Sequence, residues 1–430
     1  MVNTVFSHGL SLPLRRTFTP LVSLFLLFSA AILSAEDTVH PAKTTGHNLK
    51  ECHSKLATQG AGWCEISVSK QHPSISSVWP KNLDKKTTMN TGPASVLIAW
   101  NSAAFDKNNR IFYFFGGGHA DYGGNEVYRF ELDSGSWLRL TEPSPLNHLF
   151  AQADYKKREG KPWRRLCWTT DTRRLPASTH TYDGLIFSHA TKTIFLYNMR
   201  AANGSCFEDT TDSFKNSSAV IGSRTATKGW YEFNPSIDRK INELPPLSWR
   251  KVFDAQQLSQ AHIHQGYPAS AELDNGKIIF GSKHRTAIYN PTNSDPDTLS
   301  TFSHQADWGD GTKEYDNQRA IVWSLHQQKL LAFDAKNGHL SKRLDAKLNH
   351  GKSIAISNAG DIVSWNGKSK IFSLNPDQPP AEWQVLDWGI QGPTVGDSRV
   401  YGKWVYLPEF DVFIGLSSHK TGVWVYKHLR

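Results

Sequence analysis

The chain has 430 residues, with Lys+Arg 48 against Asp+Glu 39, 18 histidines and 12% aromatic residues, 15 of them tryptophan. The aromatic excess favours strands, and the body of the chain carries no long helix-period stretch, which argues against a helical bundle. A net charge of +9 suits either an acidic partner or simple solubility; with no basic helix and no recognisable nucleic-acid module, nucleic acid and an anionic membrane are the weaker partners and an acidic polysaccharide the stronger.

The N-terminus stands apart. Arg15 and Arg16 precede the apolar run "TFTPLVSLFLLFSAAILSA", which ends in the small residues Ser34 and Ala35. This order predicts a secretory signal peptide over 1–35, cut after Ala35. The alternative is an uncleaved anchor, since the run is nearly long enough to span a bilayer. No cysteine lies at the cut, so a lipoprotein anchor is not indicated. The segment holds two arginines and no acid, so its removal lowers the charge from +9 to +7. The expected product is an extracellular or periplasmic monomer without stable membrane association.

Residues 36–60 read as a polar, irregular lead-in. Four cysteines fit an oxidising compartment. Cys52 and Cys64 are close enough to clip a short loop, and Cys167 and Cys206 form a candidate second bridge, with metal ligation the alternative for either pair. Asn203 and Asn216 match the glycosylation acceptor pattern, which matters only in a eukaryotic source.

From residue 61 a unit recurs: a short apolar strand, a turn, then a strand ending in an aromatic residue and a polar turn. It is visible in "IFYFFGGGHADYGGNEVYRFELDSGSWLRL", in "TIFLYNMRAANGS" with "GWYEFNPSIDRKINELP", in "KIIFGSKHRTAIYNPTN", in "AIVWSLHQQKLLAFDAKNGHL", in "SIAISNAGDIVSWNGKSKIFSLNPDQPPAEWQVL" and in "VYGKWVYLPEFDVFIGLSSHKTGVWVYK". Units of roughly 40–60 residues with about four strands each describe propeller blades. Six units, plus the strands expected in "GWCEISV" and "ASVLIAW", predict an all-β, seven-bladed β-propeller over 61–430. The C-terminal "GVWVYK" is expected to close the ring with N-terminal strands. A large β-sandwich is the alternative, but its Cys–Trp–Cys signature is absent.

Three propeller chemistries are disfavoured by missing motifs. The aspartate-box turn of sialidases is approached once, by "DSGSW", one residue short. No cysteine is marked for the tyrosine cross-link of copper-radical oxidases. Kelch arrays repeat a double glycine in every blade, whereas here the Gly116-Gly117-Gly118 run occurs once. That run lets the chain turn sharply and presents His119, a group able to move a proton or carry charge near neutral pH. Tyr122 and Asn125 follow, and Asn125 and Glu126 are suited to fix the loop by side-chain hydrogen bonds. His148 stands in the next connection. In "HTYDG", His180 and Tyr182 are two apart and share a side if the segment is extended. Arg200 ends the following strand. His262 and His264 form another alternating pair, and His284 follows the strand after it. Each histidine alone fits a structural role; their recurrence at strand ends of neighbouring units points to a site.

"GGGHADYGGNEVYRFEL", "HTYDGLIF" and "YGKWVYLPEFDVFIGL" resemble the seven-bladed propeller polysaccharide lyases that cleave ulvan, and related enzymes acting on rhamnose–glucuronate linkages. The resemblance extends over most of the chain after the signal segment. It implies His119, Tyr182, Arg200 and His148 as catalytic residues; His180, His264, Asn125 and Tyr122 are expected to line the substrate site. It also implies a structural zinc, to which His262 and His264 are candidate contributors, and no cofactor in the chemistry itself.

Those residue types suit β-elimination. The proton beside a uronate carboxylate leaves only when the carboxylate charge is offset, which Arg200 and a histidine can do. A tyrosine titrates near 10 unless positive charge lowers it. Tyr182 can then take the proton and return it to the leaving oxygen, with His119 the alternative base. A propeller that only binds glycans or proteins is the rival reading. A glycoside hydrolase on the same linkages is a third, although paired carboxylates would be its mark.

Overall fold

Alternation along single strands dictates the architecture. In Ile111–Phe115, Phe112 and Phe114 pack to one side and Tyr113 and Phe115 to the other, the period of two that a pleated strand imposes. Both sides are apolar, so the sheet must be covered on both faces. The computed structural model describes residues 47–83, 91–98, 100–117, 121–143, 157–158, 161–162, 176, 178–198, 229–236, 249–263, 267–282, 285–293, 299–303, 308, 311–326, 329–345, 348, 353–378, 382–393, 400–416, 418–419 and 422–428.

The sheets so formed are the blades of a propeller. Blade 1 comprises Ala103–Asp106, Ile111–Phe115, Val127–Glu131 and Ser136–Arg139, and blade 2 comprises Leu185–Ser188, Thr193–Asn198, Gly229–Phe233 and Trp249–Asp254. Blade 3 runs from Ala269–Glu272 through Ile278–Ser282 and Arg285–Tyr289 to Ser300–Ser303. Blade 4 runs from Thr312–Asp316 through Ile321–His326 and Lys329–Asp334 to Leu340–Asp345. Blade 5 runs from Ser353–Ile356 through Ile362–Trp365 and Lys370–Leu374 to Gln384–Asp387. Blade 6 takes Trp404–Leu407, Val412–Gly415 and Val423–Lys427 from the C-terminus and its outer strand, Gly62–Ile66, from the N-terminal side. The strand pairings within the blades are antiparallel, and Cys64 lies opposite Val425 in the closing pair.

The core confirms the ring. Six buried clusters occupy the six junctions between blades. Tyr113 and Phe115 of blade 1 meet Phe187 and Tyr231 of blade 2; Tyr197 and Trp230 meet Phe280 of blade 3; Ile279 meets Val322 and Phe333 of blade 4. Trp323 meets Ile354 and Ile362 of blade 5, Trp365 meets Trp404 of blade 6, and Ile414 and Val425 return to Phe112 and Phe114 of blade 1. Each buried large apolar side chain adds about 1.5–3 kcal/mol, so the junctions hold the ring together.

The expected all-β propeller and the shared closing blade are present, but the expected count of seven is corrected to six among the described residues. The two extra segments found other places. "GWCEI" completes blade 6, and Ser95–Ile98, inside "ASVLIAW", is one short helical turn. The six recurring units are the six blades.

The irregular lead-in is also corrected in part. Leu49–Gln59 is an α-helix, started by a capping box in which Asn48 Oδ1 accepts the Glu51 N–H at 3.0 Å and Glu51 accepts the Asn48 N–H at 2.8 Å. Leu49, Cys52 and Leu56 are its buried stripe. The expected Cys52–Cys64 disulfide ties this helix to the outer strand of blade 6; closing a loop of this length is worth about 3 kcal/mol. Cys167, Cys206, Asn203 and Asn216 and the signal segment 1–35 lie outside the described residues. Among the described residues, no helix is long and apolar enough to cross a membrane.

Candidate functional site at one end of the ring

In every blade the innermost strand begins at the same end of the ring, and the second strand returns to that end. The segments entering blades 1, 2, 3 and 6 therefore place Trp100, His180, Tyr182, Tyr267 and Tyr401 around one mouth. Backbone bonds fix them: the Tyr182 N–H donates to Trp100 O at 2.7 Å, and the Asp183 N–H to Pro268 O at 3.2 Å. The Thr181 N–H donates to Asn101 Oδ1 at 2.9 Å, and Thr181 Oγ1 accepts the Ser102 N–H at 2.7 Å.

Tyr182 adopts φ +46°, the left-handed region that a bulky residue enters at a cost. His180 and Tyr182 are not on an extended strand as expected; they sit in the turn before Leu185–Ser188. Their rings nevertheless meet edge to face with centroids 5.8 Å apart. Tyr182 also packs edge-on against Tyr267 at 4.9 Å and faces Tyr401 at 6.4 Å. Trp100 lies 4.9 Å from the His180 ring.

His180 Nε2 lies 2.9 Å from Asp121 Oδ2. The carboxylate fixes the orientation of the ring. Asp121 is itself anchored: its carbonyl accepts the Thr91 and Gly92 N–H groups, and its Oδ1 accepts the Thr91 hydroxyl at 3.3 Å. The sequence reading did not assign Asp121 a role, although it stands two residues after His119 in the motif that carried the resemblance.

The glycine run is explained by close approach to this segment. A Cβ on Gly116, whose φ is +73°, would lie 2.9 Å from Thr179 O, and one on Gly117 would lie 2.5 Å from Ser95 Oγ and 2.6 Å from Tyr122 Cβ. The turn is thus pressed against the stretch that leads into His180. As expected, Asn125 and Glu126 fix the loop: Asn125 Nδ2 donates to Pro176 O at 3.0 Å, and Glu126 Oε1 accepts the hydroxyls of Tyr122 at 2.5 Å and Tyr128 at 2.6 Å. Burial raises the Glu126 carboxyl above its ordinary range, against the pull of the two tyrosine bonds.

Two of the expected substrate contacts, Tyr122 and Asn125, have their polar groups bonded within the turn. Tyr122 is 0% exposed and Asn125 buried, and the bonds just described turn both inward. They support the turn. His119, His148, Arg200, His264 and His284 lie outside the described residues. Phe115 and Val127 in blade 1, and Asn198 and Gly229 in blade 2, are strand ends at this same mouth. His262 is an exposed turn residue with φ +58°. Among the described residues, no group of three potential metal ligands gathers, so no donor set for a zinc can be assembled from them.

Comparison with models of protein families and with curated proteins gives no match for this chain.

Proposed function

We propose that this propeller is an exported polysaccharide lyase that cleaves a uronate-containing, ulvan-like polyanion by β-elimination. The observation that carries the proposal is the His180–Tyr182 pair, held at one mouth of the ring by Asp121 and by a left-handed turn. A bulky side chain kept in a costly conformation marks a position that the surrounding structure over-determines, as functional positions are. The motif resemblance to ulvan-cleaving propellers adds the substrate class, and the disulfide agrees with export.

In this mechanism Tyr182 removes the proton beside the uronate carboxylate, with His119 the alternative base. The electron pair forms the new double bond, the bond to the neighbouring oxygen breaks, and the proton passes to that oxygen. Arg200 and a histidine offset the charge that builds on the carboxylate. His180, oriented by Asp121, packs against the Tyr182 ring and supports its position. The reaction needs no cofactor.

A second reading, a propeller that binds glycans without cleaving them, draws on the burial of the same pair: Tyr182 and His180 are each 6% exposed. Incubation of the secreted protein with sulfated and non-sulfated polyuronates separates the two. Rising ultraviolet absorbance from unsaturated ends supports the lyase. Binding without that rise supports the second reading, and new reducing ends without it would indicate hydrolysis.

A further inference from the structure

We propose that Lys403 is a positioning residue of this mouth, a buried ammonium that holds Trp100 and the Tyr182 turn in place for the proton transfer. Lys403 immediately precedes the innermost strand of blade 6 and is 1% exposed. Its Nζ donates to Leu97 O at 2.5 Å and to Asn101 O at 2.8 Å, carbonyls 306 and 302 positions away in the chain. The two carbonyls bracket Trp100.

From there the bonds lead directly to the site. Asn101 Oδ1 accepts the Thr181 N–H, and Trp100 O accepts the Tyr182 N–H. Asn101 Nδ2 donates to Ser95 O at 2.8 Å, so its amide is held at both ends. Tyr401, two residues before the lysine, faces the Tyr182 ring, and Trp100 packs on His180. The backbone of Lys403 is anchored as well: its N–H donates to Val400 O at 2.9 Å, and its carbonyl accepts the Leu416 N–H at 3.0 Å. A Cβ on Gly402, whose φ is +58°, would lie 2.2 Å from Ala103 O, so the segments entering blades 6 and 1 are pressed together. On the far side of the turn, Asp183 enters the central channel, which Glu314 of blade 4 also lines, and its Oδ2 accepts the Lys313 N–H at 2.6 Å. Tyr182 is thus held from both sides.

Stability alone does not account for an ammonium here. Taking the charge out of water is costly, and an apolar side chain in a buried ionic site often serves folding as well or better. What the charge supplies is geometry. Charge-assisted bonds are shorter and stronger than neutral ones, and these two fix both ends of the segment that carries Trp100. A base must come within about 3 Å of the proton it takes, and slack in that segment would pass straight to Tyr182 and to the ring packed on His180.

The catalytic part of this role rests on the lyase reading; the placement of the rings does not. The test uses the full secreted protein, labelled with carbon-13 at histidine Cε1, with the His180 resonance assigned by its loss in His180→Gln. That resonance senses the Trp100 ring 4.9 Å away. Lys403→Met keeps the stem but neither the charge nor the donors. In it the His180 resonance is expected to move, and kcat to fall about tenfold at nearly unchanged KM, the mark of an interaction that counts only in the transition state. Lys403→Arg keeps charge and donors and is expected to recover the wild-type resonance and most of the turnover. Should Lys403→Met not fold, Lys403→Gln, which keeps one donor, is expected to displace the resonance in the same direction. A lower thermal midpoint with resonance and kcat as in the wild type would make Lys403 purely structural and overturn the proposal. If the wild type releases no unsaturated ends, the lyase reading fails, and the His180 resonance alone decides whether Lys403 holds the mouth.

Discussion

The His180 imidazole and the Asp121 carboxylate lie 2.9 Å apart, although 59 positions separate them in the chain. Asp121 belongs to the turn between the second and third strands of blade 1, and His180 to the segment that enters blade 2. Ring topology brings two loops of neighbouring blades to one mouth, and the glycines let them touch. The dyad is therefore a product of the blade junction, and its parts can be tested separately.

Asp121→Asn removes the charge but keeps the backbone carbonyl that holds Thr91 and Gly92. Lyase turnover is expected to fall about tenfold or more, because His180 loses the charged partner that orients it. The unfolding midpoint should change little. An unchanged pH–rate profile in this variant would remove His180 and Asp121 from the reaction.

Tyr182→Phe keeps the ring, and with it the contacts to His180, Tyr267 and Tyr401. Loss of the hydroxyl is expected to lower turnover by roughly a hundredfold, with stability nearly intact. Tyr182→Gly relieves the left-handed strain, worth about 1–2 kcal/mol, but also removes a buried aromatic ring. It should be both inactive and less stable. Full activity in Tyr182→Phe would exclude this hydroxyl as the proton carrier.

The blades were legible because each writes its own local pattern. Runs such as Ile111–Phe115 and Val423–Lys427 alternate two apolar faces, and polar turns punctuate them. The number of blades was not, because it depends on where two stray segments pair. Nothing local in Gly62–Ile66 says that its partner is Val423–Lys427, and β-branched Val96 and Ile98 suggested a strand where a helical turn forms. The site was half legible for the same reason. The spacing of His180 and Tyr182 is local, whereas Asp121 and Trp100 reach them only through the ring. Tyr122 and Asn125 read as exposed loop residues, but Glu126, a carboxylate folded inward, draws the tyrosine hydroxyl into the interior.

Gly117→Ala tests the close approach that explains the glycine run. Its Cβ would press on Ser95 Oγ and Tyr122 Cβ, both buried. Overpacking of this kind costs about 1–3 kcal/mol. Denaturant unfolding should show that loss, and turnover should fall beyond it because the turn is pushed away from Thr179 and His180. A variant as stable and active as the wild type would mean that the loop has room to relax.

The channel carboxylates predict how stability depends on pH. Burial, reinforced by the charge of Asp183 and only partly offset by Lys107, pushes the Glu314 carboxyl up to about 8, from an ordinary value of 4.5. The folded protein therefore keeps this proton through a range where the unfolded chain has released it. The group's contribution to stability is fully present below about 4.5 and is lost as pH rises through about 8. Asp183 is shifted upward as well, again by burial first, and acts in the same direction. The denaturant midpoint should fall between pH 5 and pH 9. Glu314→Gln cannot ionise and should flatten that fall without abolishing it, since Asp183 remains. At pH 9 the variant should be the more stable protein, by at least about 1 kcal/mol. Equal slopes for wild type and variant would show that Glu314 ionises freely in the channel.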